Sequence, residues 1–151
     1  MANRTLIFGF GNMGRQDDGL GVLLATHIKH MQFLGVDVDM NYQLNAEDAL
    51  KISDYDMVIF ADASVAIESS FELMPLEAES CIAFSTHAMT PGSILAMAEQ
   101  LYDAKPKCYV LHIRGYEWEF GAPLSAHAKE NLELTKAYIE DYLLNQKQPA
   151  A

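Results

Sequence analysis

The sequence predicts an α/β protein with one domain over residues 1–151: a three-layer, doubly wound, mostly parallel sheet with helices on both faces. Short apolar, β-rich runs alternate along the chain with segments of helical spacing, the pattern of such sheets. The run 55–63, YDMVIFADA, is almost continuous Val, Ile and Phe, which is typical of a strand covered on both faces. The chain has 151 residues, of which 50% are apolar, enough for one core. Only the tail from about residue 145 is expected to be frayed.

The first half of the chain contains three predicted strands and two predicted helices. A strand at 4–10 is followed by a helix at 17–32, where leucines and isoleucine recur at helical spacing. An alternating run at 35–44 predicts the second strand. Asn45 is a plausible N-cap for a short helix that follows it. The apolar run described above then forms the third strand, which we expect at the centre of the sheet.

The second half continues the alternation. The run 71–78 is a weaker strand, because Pro75 fits only an edge or an irregular stretch. Two further strands are predicted at 81–86 and 107–115. Two capping residues predict two helices. Thr90 caps a helix that has a proline at its first position, and Ser125 caps a helix that reaches residue 146.

Charge and cysteine usage narrow the class of protein. Ten basic residues against 21 acidic ones give a net charge of −11, so we expect neither nucleic acid nor a membrane surface as a partner. No signal-peptide pattern or membrane-length apolar run is present, which favours a cytoplasmic location. Cys81 and Cys108 lie in separate apolar segments, and we expect buried, reduced thiols.

The glycine-rich loop after the first strand has the spacing of a dinucleotide site. Gly9, Gly11 and Gly14 match G-x-G-x-x-G. That site also needs an acid at the end of the second strand and a helix N-terminus open to phosphate. Here the second strand ends in Tyr-Gln-Leu-Asn, and Asp17 and Asp18 occupy the start of the helix, where they would repel a phosphate. We therefore expect no dinucleotide cofactor.

Three polar residues follow predicted strands. Asp18 lies just past the first strand, Asp62 ends the central strand and His87 follows the run 81–86. In doubly wound sheets ligands bind outside the carboxyl ends of the strands, so these side chains are expected to converge. Two carboxylates and an imidazole suit a divalent first-row ion such as nickel or zinc, and three ligands leave positions open on it.

Three segments, GFGNMGRQDDGLG, IFADAS and FSTHAMTPGSIL, resemble the motifs of the hydrogenase maturation endopeptidases. The resemblance extends over most of the chain in order and spacing. It implies that Asp18, Asp62 and His87 bind metal. It also implies a protease that removes a C-terminal extension from the large subunit of a nickel-iron hydrogenase after nickel has been inserted. The expected partner is therefore the nickel-loaded precursor, whose own nickel is the recognition element.

Conventional protease motifs such as H-E-x-x-H and G-x-S-x-G are absent from the sequence. Catalysis would then depend on nickel polarising the scissile carbonyl or delivering a water, with a carboxylate as general base. Asp17 is the candidate for that base. Because the substrate brings the nickel, the isolated protein is expected to bind nickel, or zinc or cadmium as a surrogate, only modestly.

Two other functions stay open. A receiver-type signalling domain phosphorylated on Asp62 would also have an acid pair such as Asp17 and Asp18 after its first strand. A receiver domain should, however, carry a lysine after its last strand, where this chain has Arg114. A receiver domain also has no glycine loop before its acid pair, whereas this chain has one. The second alternative is a chaperone that recognises nickel without cutting.

Some residues have both a packing and a binding interpretation. Tyr116, Trp118 and Phe120 alternate in GYEWEFG, either as packing residues or as an apolar patch that docks the large subunit. Met89 and Met13 flank the expected site. For His112 we favour packing.

Overall fold

The structure is a computed structural model that describes residues 4–79 and 89–147. Its five strands and four helices, with one 3-10 turn, are in chain order β1 Thr5–Phe10, the 3-10 turn Gln16–Gly19, α1 Leu20–Met31, β2 Val36–Asn41, α2 Asp48–Ile52, β3 Met57–Ser64, β4 Phe71–Pro75, α3 Pro91–Tyr102, β5 Lys107–Arg114 and α4 Ala126–Lys147. The alternating order confirms the predicted α/β class.

The strands form one sheet in the order β2-β1-β3-β5-β4. β3 lies at its centre, as predicted, with β1 and β5 parallel on either side. β4 is antiparallel to β5 and forms an edge. Pro75 is the last residue of this edge strand, where its missing N–H leaves no central ladder broken. The sheet is therefore mostly parallel, with one antiparallel strand at an edge.

Helices cover both faces of the sheet. On one face, Leu6, Phe8 and Phe60 belong to a core that also includes residues of α2 and α3. On the other, Ile7 and Ile59 pack with the buried residues of α1 and α4. Successive strand residues thus feed opposite cores, which is the reason the central strands read as continuous apolar runs. The three-layer architecture is confirmed.

Two of the three predicted helix caps are present. The Thr90 hydroxyl accepts from Ser93 N at 3.1 Å, and Ser93 Oγ accepts from Thr90 N at 3.0 Å, which is a reciprocal capping box. The Ser125 hydroxyl accepts from Ala128 N at 3.4 Å at the start of α4.

The prediction of Asn45 as an N-cap is wrong. The chain first makes a turn in which Asp48 N donates to Asn45 O at 3.0 Å, and α2 begins only at Asp48. The Asp48 carboxylate accepts from Asn45 N at 2.8 Å, so the side-chain contact runs in the opposite direction to a cap. Burial raises the pKa of Asp48.

The predicted strand 81–86 and Cys81 lie outside the residues that the structure describes. Cys108 is buried, and burial raises the pKa of its thiol to about 12, consistent with the expected reduced state. α4 extends to Lys147, slightly past the predicted end. Within the described residues, every helix is too short or too polar to cross a bilayer.

Candidate active site

The glycines of the first loop allow α1 to approach the sheet closely. A Cβ on Gly21 would lie 2.2 Å from the carbonyl oxygen of Ala61, and one on Gly9 would lie 2.3 Å from that of Gly21. At Gly14 the nearest such atom is the Asn12 side-chain oxygen, at 3.3 Å. Packing of α1 against β1 and β3 therefore requires Gly9 and Gly21, whereas Gly14, which completes the dinucleotide-like spacing, has no comparable constraint.

Asp18 is held by the loop that precedes it. Its carboxylate accepts from Asn12 N at 2.9 Å, and the Asn12 side-chain oxygen accepts from Gly14 N at 2.8 Å. Asn12 O accepts from Arg15 N at 3.1 Å, and Arg15 O accepts from Asp18 N at 3.0 Å. The loop folds around Asn12, which fixes the carboxylate of Asp18 at the carboxyl end of β1.

Asp62 lies near the carboxyl end of β3, the central strand. The pairing of β1 with β3 ends at Ala61, so Asp62 is the first residue of β3 beyond β1, while it still pairs with His112 of β5. Burial is the main cause that raises the pKa of Asp62 to about 7, and the negative charge of Asp18 raises it further. A backbone hydrogen bond from Ala63 opposes the shift. The ionised form of this carboxyl is therefore disfavoured in the cleft compared with an ordinary aspartate.

The two carboxylates line one cleft of about 340 Å³ at the carboxyl ends of β1 and β3. From β1 the chain leads to β2 on one side, whereas β3 lies on the other, and such a switch point is where doubly wound sheets bind ligands. Among the residues that line the cleft are Arg15, Asp18, Tyr42, Asp62, Met89 and Phe120.

His87, the third predicted ligand, lies outside the described residues. Met89, two positions further along the chain, lines the cleft and pairs with Leu44 in an isolated antiparallel bridge. Among residues 4–79 and 89–147 there is no group of three His, Cys, Asp or Glu side chains that could hold a metal ion. The three-ligand set therefore remains a prediction.

Asp17 has a different environment from its neighbour. It is fully buried, and its carboxylate accepts from the backbone N–H groups of Tyr116, Glu117 and Ser125 at 2.8, 3.0 and 2.9 Å and from the Ser125 hydroxyl at 2.7 Å. Burial by itself would raise the pKa of Asp17, but these hydrogen bonds outweigh it and hold the pKa below its usual value. This geometry is that of a structural carboxylate and does not favour the predicted general-base role.

The aromatic loop, residues 115–124, is the segment that Asp17 holds. Tyr116 is 38% exposed and does not line the cleft, and its hydroxyl accepts from Asn131 at 3.0 Å. The Trp118 ring lies against Gly115. Phe120 is instead 74% exposed and lines the cleft. The sequence left packing and binding open for all three aromatics, and the structure separates them.

Arg15 is a cleft residue that sequence reasoning missed. Its signal was present, since it is the only basic residue in the glycine-rich segment 6–21. Of the two methionines expected to flank the site, Met89 lines the cleft, whereas Met13 packs beside Gly19. His112 is partly buried, its Nδ1 has no hydrogen-bond partner within the described residues, and burial lowers its pKa.

A cation fits the paired carboxylates of the cleft. The charge of Asp18 raises the pKa of Asp62, and a positive charge near the two carboxylates would offset that effect. Carboxylates are hard oxygen ligands, and one imidazole added to them gives the mixed set that nickel or zinc accepts. The arrangement suits recognition of a divalent ion that has open coordination positions.

No family profile matches the sequence, and no curated protein is similar to it at a significant level. Solved structures do match. They include the NiFe hydrogenase maturation protease HycI from Thermococcus kodakarensis KOD1, with a TM-score of 0.75 at 21% identity over 93% of this chain and 92% of that one. The hydrogenase maturating endopeptidase HybD from E. coli gives a TM-score of 0.72 at 20% identity over 95% of this chain and 93% of that one.

A third match is the NiFe hydrogenase maturation protease HybD from Thermococcus kodakarensis, with a TM-score of 0.63 at 18% identity over 93% of this chain and 99% of that one. These alignments cover nearly the whole length of both partners. The chain therefore has the fold of the hydrogenase maturation proteases, as its sequence motifs predicted.

Proposed function

We propose that this protein is a processing endopeptidase that removes the C-terminal extension of a nickel-iron hydrogenase large subunit after nickel insertion. The observation that carries the proposal is the pairing of Asp18 and Asp62 in one cleft at the switch point of the sheet. The shared fold with maturation proteases supports the same activity.

In this proposal the nickel belongs to the substrate, and Asp18, Asp62 and His87 bind it. Nickel bound there would polarise the scissile carbonyl or a water molecule. Asp62, whose pKa is about 7 without a cation, gives up its proton as the positive charge arrives. Asp18 stays in place through its bond from Asn12 N. The cleft thereby recognises a loaded precursor and discriminates against an empty one.

Asp17 has a positioning role here instead of the general-base role expected from the sequence. Its carboxylate is fully buried, accepts four hydrogen bonds from the aromatic loop and Ser125, and does not line the cleft, so it is not presented to a substrate water. The carboxylates available for proton transfer in the cleft are Asp18 and Asp62.

The sheet topology argues against the receiver alternative. A receiver domain has the strand order 2-1-3-4-5. Here β5 lies between β3 and β4, and β4 runs antiparallel.

The test is an incubation of the protein with nickel-loaded and nickel-free large-subunit precursor from the same organism. We expect a shift to higher mobility on a gel with the nickel-loaded precursor alone. Replacement of Asp18, Asp62 or His87 by Ala is expected to slow processing at least about 100-fold, as loss of a metal-site residue does. Equal cleavage of the empty precursor would contradict nickel recognition.

Asp54→Ala is the matched control. Asp54 is an exposed carboxylate in the turn before β3, at the opposite end of that strand from Asp62. Its variant is expected to process precursor at the wild-type rate. Two results together would contradict both the protease and the metal-recognition assignments. They are that the wild type does not cleave the precursor and that Asp62→Ala binds the precursor as tightly as the wild type does. Tight, nickel-dependent binding without cleavage would instead indicate the chaperone alternative.

A further inference from the structure

Among residues 4–79 and 89–147, Arg15 is the one basic side chain that lines the cleft. Its Nε donates to Trp118 O at 3.2 Å, and its guanidinium carbon lies 5.6 Å from the centroid of the Phe120 ring. Within residues 4–79 and 89–147 it makes no ion pair, and its Nη atoms have no protein acceptor. The fork of the guanidinium is thus oriented at its base and keeps donors for a ligand.

Phe120 is exposed although its backbone is firmly held. On either side of it, Glu119 N donates to the Gln16 side chain at 2.9 Å and Gly121 N donates to Gly14 O at 2.9 Å. Gly121 has φ +79°, a left-handed conformation that favours glycine and turns the chain after the ring. Tyr42, which is 63% exposed, lines the same cleft. Two exposed aromatic rings therefore line the cleft that contains the paired carboxylates.

We propose that Arg15 and Phe120 form a subsite for the extended peptide next to the scissile bond. Arg15 donates to a main-chain carbonyl oxygen of that peptide, and Phe120 with Tyr42 contacts an uncharged, apolar side chain on it. The inference rests on the proposed endopeptidase function and names the residues that choose the substrate segment. No role for Arg15 was predicted from the sequence, and that of Phe120 was left open between packing and binding.

The charges around the cleft determine the chemistry of the peptide. Asp18 and Asp62 lie in the same cleft, and the whole chain has a net charge of −11, so an acidic peptide side chain would be repelled. A main-chain carbonyl satisfies the Nη donors without adding charge. The exposed rings gain only when apolar surface covers them, and aromatic and arginine side chains are those that most often dominate binding.

The test is steady-state kinetics on the nickel-loaded precursor. Phe120→Ala is expected to raise KM about tenfold with kcat within about twofold, because a lost apolar contact in a subsite weakens binding. Phe120→Leu should recover most of that change. Arg15→Met is expected to raise KM to a similar degree. Leu134→Ala, which removes an exposed leucine from α4, is the control and should match the wild type.

A second arm changes the substrate. Replacement of the apolar residue nearest the cleaved bond by Ala, which removes the contact without adding charge, should raise KM for the wild type by about tenfold but have little further effect on Phe120→Ala. Wild-type KM in both Phe120→Ala and Arg15→Met, measured while the parent protein cleaves, would overturn the subsite and leave the endopeptidase intact. If the parent protein cleaves no precursor, the endopeptidase proposal fails first. Circular dichroism of each variant verifies folding, and Phe120→Ala decides if Arg15→Met is unstable.

Discussion

Asp17 and Ser125 are joined by two hydrogen bonds although 108 residues separate them in the chain. Ser125 N donates to Oδ1 at 2.9 Å, and the Ser125 hydroxyl donates to Oδ2 at 2.7 Å. The contact ties the turn before α1 to the first turn of α4. The aromatic loop directly precedes Ser125, so this buried carboxylate helps to position Phe120 relative to Asp18, together with the bonds that Glu119 N and Gly121 N donate to Gln16 and Gly14.

Replacement of Asp17 by Asn is expected to lower the free energy of unfolding by about 3 kcal/mol, because four donors would face a side chain that can satisfy fewer of them. Urea unfolding at pH 7 measures the change. Asp54→Asn, at an exposed position, should differ from the wild type by less than about 0.5 kcal/mol.

The same pair predicts how acid affects the protein. The pKa of Asp17 is lower in the folded state than its usual value, so the carboxylate stabilises the fold fully above that usual value. As the pH falls through the lowered pKa, the stabilisation is lost. The difference in stability between the wild type and Asp17→Asn should therefore be constant from about pH 5 to 7 and shrink at lower pH. A constant difference down to pH 2 would refute this assignment.

Asp62 predicts a pH dependence of the opposite sign. Its pKa is raised from 3.8 to about 7, so the folded state binds the proton more tightly than the unfolded state. The related stability is fully present below about pH 4 and is lost as the pH rises through 7. Asp62→Asn, which cannot ionise, should gain stability over the wild type between pH 5 and pH 8, by an amount on the order of 3 kcal/mol. Thermal unfolding at the two pH values measures it.

The partner carboxylate offers a control for that result. Because the charge of Asp18 contributes to the raised pKa of Asp62, Asp18→Asn should move the transition to lower pH without abolishing it.

Binding of cadmium, followed by calorimetry, should weaken below pH 7 in the wild type as protons compete for Asp62. Equal cadmium affinity at pH 6 and pH 8 would contradict the assignment.

The glycines of the first loop give a test of packing. Gly21→Ala would place a Cβ 2.2 Å from the carbonyl oxygen of Ala61, a contact that backbone must move to relieve. We expect a loss of about 3 kcal/mol or more, since overpacking against backbone is costly. Gly14→Ala meets only a side-chain oxygen at 3.3 Å and is expected to cost at most about 1 kcal/mol. Denaturant midpoints of the two variants should therefore differ clearly.

Thr90 caps α3, and the effect of removing this cap on stability can be predicted. Thr90→Ala removes the hydroxyl that accepts from Ser93 N, and we expect a loss of about 1 kcal/mol in unfolding free energy. Thr90→Ser keeps the acceptor and should stay near the wild type. If both variants lose equal stability, the capping box is not the cause.

The amino-acid sequence by itself determined the local features of this protein. The apolar alternation located β1, β3 and β5, and the continuous run around Ile59 indicated a central strand, because burial on both faces admits only apolar residues. Thr90 and Ser125 marked two helix starts, since a cap needs partners only three residues away. Placing Asp18 after the first strand and Asp62 near the carboxyl end of the central strand also required only chain order.

The tertiary structure alone decided which of two adjacent aspartates faces the cleft. Neighbours in a 3-10 turn point in different directions, and Asp17 meets donors about 100 residues away that no local pattern shows. The same is true of Arg15 and Phe120, which come together only because α4 and the aromatic loop fold back on the first loop. The pKa of Asp62 likewise arises from burial and from Asp18, and both depend on contacts distant in sequence.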